Sequence, residues 1–190
     1  MTTKTNNRWT LYAVFGVTVV PLMFAMLMYF NLWGVPEGRT NSGELLLPPN
    51  DLIQAQLVDQ DSMPWSQADL DKRWLVVYLT QKECDQSCQE ATHLLRQIHT
   101  AVGKEAHRIT RILVNSQGDF NEQLQLDYPA LVQLQSLSLE TFEKGEGIYI
   151  VDPLGNMMMY FGTGFVGKKL LKDLKSINEV EIYLKDYDLK

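Results

Sequence analysis

Residues 74–102 read WLVVYLTQKECDQSCQEATHLLRQIHTAV, and the fold is decided here. Trp74 to Leu79 is an unbroken apolar run bounded by polar residues, the pattern of a strand buried on both faces. From Ser87 to Val102 the apolar positions Leu94, Leu95, Ile98 and Val102 recur at helical spacing, and Gly103 supplies a stop. Between the two lies Glu83-Cys84-Asp85-Gln86-Ser87-Cys88, holding the only two cysteines of the chain.

Downstream the alternation continues. Arg108 to Asn115 is a second strand candidate, and Pro129 to Leu139 has a helical tendency. Ile148 to Asp152 reads as a third strand, Pro153 to Asn156 as a turn, and Met157 to Phe161 as the hairpin partner. Lys168 to Lys185 closes the chain as a helix with Leu170, Leu171, Leu174 and Ile177 on one face. Strand, helix, strand, then hairpin and terminal helix is the thioredoxin-like order. The expectation is an α/β thioredoxin-like domain over residues 51–190.

Upstream the composition changes. Residues 9–36 carry no charge, and residues 9–33 read WTLYAVFGVTVVPLMFAMLMYFNLW. As a helix these 25 residues reach roughly 37 Å, enough for a hydrocarbon core of about 30 Å. Trp9, Tyr12, Tyr29, Phe30 and Trp33 stand at its ends, where aromatic rings prefer the interface. Pro21 is tolerable in lipid. A cleaved secretory signal would have a shorter core followed by small residues, and Tyr-Phe-Asn-Leu-Trp-Gly-Val-Pro offers no such site. Residues 9–33 are therefore expected to be an uncleaved anchor. Residues 1–8 form a cytoplasmic tail, because Lys4 and Arg8 precede the helix and only Arg39 follows closely. That places the domain on the periplasmic side of the cytoplasmic membrane. Residues 34–50, rich in Gly, Pro and Asn, read as a linker, with Leu45 to Pro49 the first piece to dock on the domain.

Every Asp and Glu lies at Glu37 or beyond, so the part after the helix carries 15 basic against 23 acidic side chains, net −8. Such a domain repels phosphate backbones, and nucleic-acid binding is excluded as a function class.

The cysteine pair carries the chemistry. Free N–H groups at a helix start favour a thiolate, the form that attacks disulfides and binds soft metals. A spacing of four brings both sulfurs to one side of a turn, so Cys84 and Cys88 can close a disulfide or chelate one ion. Two thiolates suit Cu(I) and are too few for a closed zinc site. A purely structural disulfide across so short a loop removes little unfolded-chain entropy, which favours a chemical role. Glu83, Asp85 and Glu90 stand near and oppose ionisation. His93, His99 and His107 follow the pair and read as solvated or capping. Met157 to Met159 read as core, at most two sharing a face.

The N-terminal anchor, the strand running into Cys-x-x-x-Cys, Tyr78 six residues before Cys84, the late Ile-Tyr-Ile-Val-Asp-Pro-Leu-Gly, Phe161-Gly162 and the closing helix resemble the Sco family over most of residues 70–180. Those are membrane-anchored, thioredoxin-fold copper chaperones for cytochrome oxidase assembly. The resemblance implies that Cys84 and Cys88 are the redox and copper-binding thiols, with Cu(I) as the ion. It implies as partners a cytochrome oxidase subunit or other assembly factors. The pattern departs at Asp85 and Gln89, where the family has prolines, and in residues 143–148, which lack the third-ligand histidine, with Lys144 nearest that place. Gly145-Glu146-Gly147 likewise lacks the cis-proline of thioredoxin-type oxidoreductases. Two alternatives stay open: a tethered thiol-disulfide oxidoreductase, and a scaffold that keeps the fold without the chemistry.

Overall fold

Strand β3 (Trp74–Thr80) is the centre of the molecule because both of its faces are apolar. Val76 and Tyr78 enter one core cluster, while Leu75, Val77 and Leu79 enter a second on the other side of the sheet. The computed structural model describes residues 7–31, 41–70, 72–118 and 120–188. The chain divides into two compact units, Met1–Thr40 and Asn41–Lys190. The expected tail up to residue 6 and the linker at 32–40 lie outside the described residues.

In the first unit, helix α1 (Asn7–Phe30) runs on through Pro21. Proline has no N–H, so the turn at Val17 forgoes one helical bond. Asn31 closes the end, its backbone and side-chain nitrogens donating to the Leu27 carbonyl at 3.0 and 2.8 Å. At about 1.5 Å per residue the helix is roughly 36 Å long. Residues Arg8–Phe30 are long and apolar enough to cross a membrane, which makes this a candidate transmembrane span.

The second unit is a seven-stranded mixed sheet in the order β1-β7-β6-β3-β4-β5-β2. Its strands are β1 (Glu44–Asp51), β2 (Leu57–Val58), β3, β4 (Ile109–Asn115), β5 (Leu131–Ser136), β6 (Gly147–Val151) and β7 (Asn156–Gly162). β3, β4 and β5 are parallel and the other pairings antiparallel. Helices α2 (Gln86–Val102), α3 (Glu122–Asp127) and α4 (Gly167–Asp188) complete the unit. Leu95, Ile98, Leu124, Leu170 and Leu174 from these helices pack with Val76 and Tyr78. The opposite face is covered by Leu52, Ala55 and Leu70, from short 3-10 turns, and by Leu57 of β2.

Three differences from the sequence reading have physical reasons. Residues 129–139 contain strand β5 instead of helix. Leu131 and Leu134 are three apart, which resembles one helical face, but they feed opposite sides of the sheet. In a strand an odd spacing does just that. Residues 44–50, placed in the linker, form edge strand β1, with Leu45 packing toward one core and Leu46 toward the other. Met157 and Met159 lie on opposite faces despite their spacing of two, because β7 bulges at Met158: Ile150 pairs with Met159 and Val151 with Met157. Met157 and Met159 are the core fillers expected, whereas Met158, at the bulge, is exposed instead of core.

The chain enters this unit at the sheet edge three strands from β3. Glu44 pairs with Tyr160, Tyr160 with Tyr149, and Tyr149 with Val77, so the start of β1 lies level with the middle of β3. Entry is fixed by Asp173 of α4, 3% exposed, whose Oδ2 accepts from the Ser42 and Gly43 N–H groups at 2.6 and 3.0 Å. Asp173→Ala would orphan both donors. A loss of about 2 kcal/mol in urea unfolding is expected, since hydrogen bonds to charged groups run about 1.5–3 kcal/mol. A loss below about 0.5 kcal/mol would mean that the clasp does not hold the chain.

Candidate functional site

β3 ends at Thr80, and the chain must turn sharply to lay α2 on the sheet. Thr80 Oγ1 spans the turn, accepting from Lys82 N–H and donating to the Lys82 carbonyl. Just past β4, Ser116 Oγ donates to the Gln81 carbonyl at 3.1 Å. Asp85 then caps α2: its Oδ1 accepts from Cys88 N–H at 3.1 Å and from Ser87 Oγ at 2.6 Å. The cap sets Cys84 just before the helix and Cys88 in its first turn.

The two sequence-predicted residues come together. Cys84 and Cys88 form a disulfide, with Cα atoms 5.1 Å apart. Their environments differ. Cys88 is 1% exposed inside the helical-face cluster, whereas Cys84 is half-buried and only packs against it. One sulfur can therefore meet a substrate and the other is sheltered behind it.

The rim is acidic. Asp85 is exposed, and its hydrogen bonds from Ser87 and from Cys88 N–H hold it below the usual carboxylate range. Tyr78, buried beneath, has its hydroxyl pushed up to about 12 by burial and then by the nearby Glu146 and Asp85 carboxylates. Across the sheet, Gly147 pairs with Leu79. Its φ of +151° and the 2.5 Å that would separate a Cβ from the Phe161 carbonyl oxygen leave room for glycine alone. Tyr149 donates to the Gly145 carbonyl at 2.8 Å and Tyr160 to the Glu146 carbonyl at 2.8 Å, which fixes the rim loop.

None of the three histidines faces the sulfurs. His93 bonds Tyr128 and Gln97, His99 the Ile109 carbonyl, and His107 the Lys104 carbonyl. Lys144 pairs with Glu44 at 2.7 Å, and that carboxylate keeps the ammonium protonated above its ordinary range. A protonated amine is no metal donor. Among the described residues, no three His, Cys, Asp or Glu side chains gather as a metal site. The donor set on reduction is therefore two thiolates, which fits two-coordinate Cu(I), a soft ion.

A family model described as transmembrane-like, thioredoxin-like, C-terminal domain matches residues 74–179. The chain belongs to this family. Its match spans β3, the cysteine pair, the β6–β7 hairpin and the first half of α4. Solved structures of similar fold include Sco proteins. Apo Sco1 from Thermus thermophilus superposes with a TM-score of 0.57 at 13% identity, over 74% of this chain and 99% of that one. Yeast Sco1 with copper bound gives 0.54 at 12% identity, over 76% and 95%. A comparison with curated proteins finds no match. The Sco resemblance read from the sequence holds as a likeness of fold within this thioredoxin-like family.

The sequence reading treats Asp85 as a charge opposing the thiols and as a departure from the family's proline, not as a helix cap. The missed signal was its place three residues before Cys88, where a side-chain acceptor caps a helix. Glu146, Tyr149 and Gly147 carried no local signal, since pairing across the sheet brings them to the rim.

Proposed function

We propose that this chain is a membrane-anchored, Sco-like factor that assists cytochrome oxidase assembly through Cys84 and Cys88, as a reductant of disulfides at the oxidase copper site. The observation that carries this reading is the pair itself: a half-buried sulfur joined to a buried one at the cap of α2. In the dithiol state, Cys84 thiolate attacks one sulfur of a partner disulfide and expels the other as a thiolate. Cys88 thiolate then attacks Cys84 Sγ, which expels the second partner thiolate and closes the Cys84–Cys88 disulfide. Two electrons pass to the partner, and a membrane or periplasmic dithiol must restore the pair. Cu(I) is a cargo that the reduced pair could take up in the same site, because two soft thiolates are presented together. Lys4 and Arg8, at the N-terminal side of the apolar run, favour a cytoplasmic N-terminus and a periplasmic domain.

Electrostatics set the direction. Asp85 takes up the Cys88 N–H and adds negative charge beside the sulfurs. Both effects disfavour thiolate, and a pair whose reduced form gains little from ionisation is a reductant. The potential is expected near thioredoxin's about −270 mV, far from the about −120 mV of strong oxidants. Asp85→Asn keeps the cap but removes the charge. It should move the potential up by about 10–30 mV, where 30 mV is a tenfold change in equilibrium constant. Equilibration against dithiothreitol measures both. A wild-type potential above about −180 mV would sink the reductant role.

A further inference from the structure

The sheet has two edges, and only one is blunted. Edge strand β1 carries Pro48 and Pro49 within an irregular stretch between Leu45 and Asn50, so it offers no continuous row of donors. At the other edge, β2 is two residues long and covers only Gln135 and Ser136 of β5. Leu131 to Leu134 have β4 on one side and no strand on the other among the described residues. The Leu137 N–H donates toward β2, to the Gln56 carbonyl at 3.4 Å. Strand alternation then turns the N–H and C=O of Gln133 to the open side.

A groove of about 640 Å3 runs along this open stretch, its walls including Asp59, Glu122, Leu126, Pro129, Val132 and Gln133. It is built, not incidental. Gln133 Oε1 accepts from Asn121 N–H at 3.0 Å, and its Nε2 donates to the Asn121 carbonyl at 3.0 Å and to Gln125 Oε1 at 3.1 Å, so α3 is held off the strand at a fixed distance. Leu126 on one side is 74% exposed, and Met63, whose carbonyl accepts from Asp59 N–H on the other, is 63% exposed. The ionisable residues of the groove are Asp59 and Glu122, both acidic.

We propose that this groove binds an extended, basic segment of a partner protein, which adds to β5 as an outer strand. Its backbone would pair with Gln133, lysine or arginine side chains would lie beside Asp59 and Glu122, and apolar ones would cover Leu126 and Pro129. A second copy of this chain fits poorly, because joining two β5 edges would bring four carboxylates together in a domain of net charge −8. The groove lies two strands from β3, so a docked partner leaves Cys84 free. The inference stands independently of the thiol chemistry.

The test uses the full chain in neutral detergent and a fluorescein-labelled, end-blocked peptide of alternating lysine and valine, read by anisotropy. Binding is expected, with about tenfold loss for the double variant Asp59→Asn, Glu122→Gln. The same peptide N-methylated at alternate residues keeps its charge but cannot pair as a strand, and should not bind. Equal binding by the methylated peptide, or no loss in the double variant at unchanged circular dichroism, would overturn the proposal. So would a dimer of the free chain, seen by light scattering, that the peptide cannot dissociate.

Discussion

Cys84→Ser is expected to reduce disulfide exchange by the full chain to below about 1% of wild type, because it removes the only sulfur that an incoming disulfide can reach. Cys88→Ala should act one step later. Cys84 still attacks, but nothing resolves the product, so a mixed disulfide accumulates in stoichiometric amount. Alanine is the better replacement there, since Cys88 is 1% exposed and a serine hydroxyl would enter an apolar cluster. Both variants should stay folded. The bridge spans a sequence separation of four, for which loop-closure entropy gives only about 2 kcal/mol. Gel-shift assays of trapped adducts, using a peptide with an oxidised cysteine pair, separate the two steps. If Cys84→Ala trapped adducts and Cys88→Ala did not, the roles of the two sulfurs would be reversed.

Tyr149→Ala is expected to destabilise the domain by about 3–5 kcal/mol, the range for deleting a buried aromatic side chain. Tyr149 is 1% exposed, and its ring packs against Phe142 at 5.1 Å and Tyr160 at 5.0 Å between centroids. Burial and the neighbouring Tyr160 hold its hydroxyl protonated well above the ordinary tyrosine range, so it remains the donor to Gly145 at any working pH. Tyr149→Phe keeps the ring and deletes that bond, at a cost of about 1 kcal/mol. Urea unfolding of both variants measures the difference. Equal losses would show that the hydroxyl, and not the ring, holds the rim.

The central part of the domain was legible because its residues decide locally. Trp74 to Leu79 could only be a strand buried twice over, and Cys84 and Cys88 had to fall at the turn that follows. The Ile148 to Val151 strand, its hairpin turn and the apolar face of α4 were equally local. Elsewhere the outcome depends on partners distant in sequence. Leu45 and Leu46 become a strand only because β7 offers an edge, and Leu131 and Leu134 belong to two cores that the sequence does not display. The bulge at Met158 inverts a face that simple alternation would keep. At the site, the structure adds that Lys144, near the place where the resemblance looks for a ligand, is engaged by Glu44. Asp85 is legible as a charge beside the thiols, but Glu146 is not, because only the pairing of β6 with β3 brings it near Tyr78.

The most direct test of the account is the copper content of cytochrome oxidase in cells whose only copy of this chain carries both Cys84→Ser and Cys88→Ala, at wild-type abundance in the membrane. The account predicts oxidase lacking its copper-site metal, restored by adding back the wild-type chain. Oxidase assembled with full copper and full activity would contradict it, and would leave the tethered domain acting through its surface instead of its sulfurs.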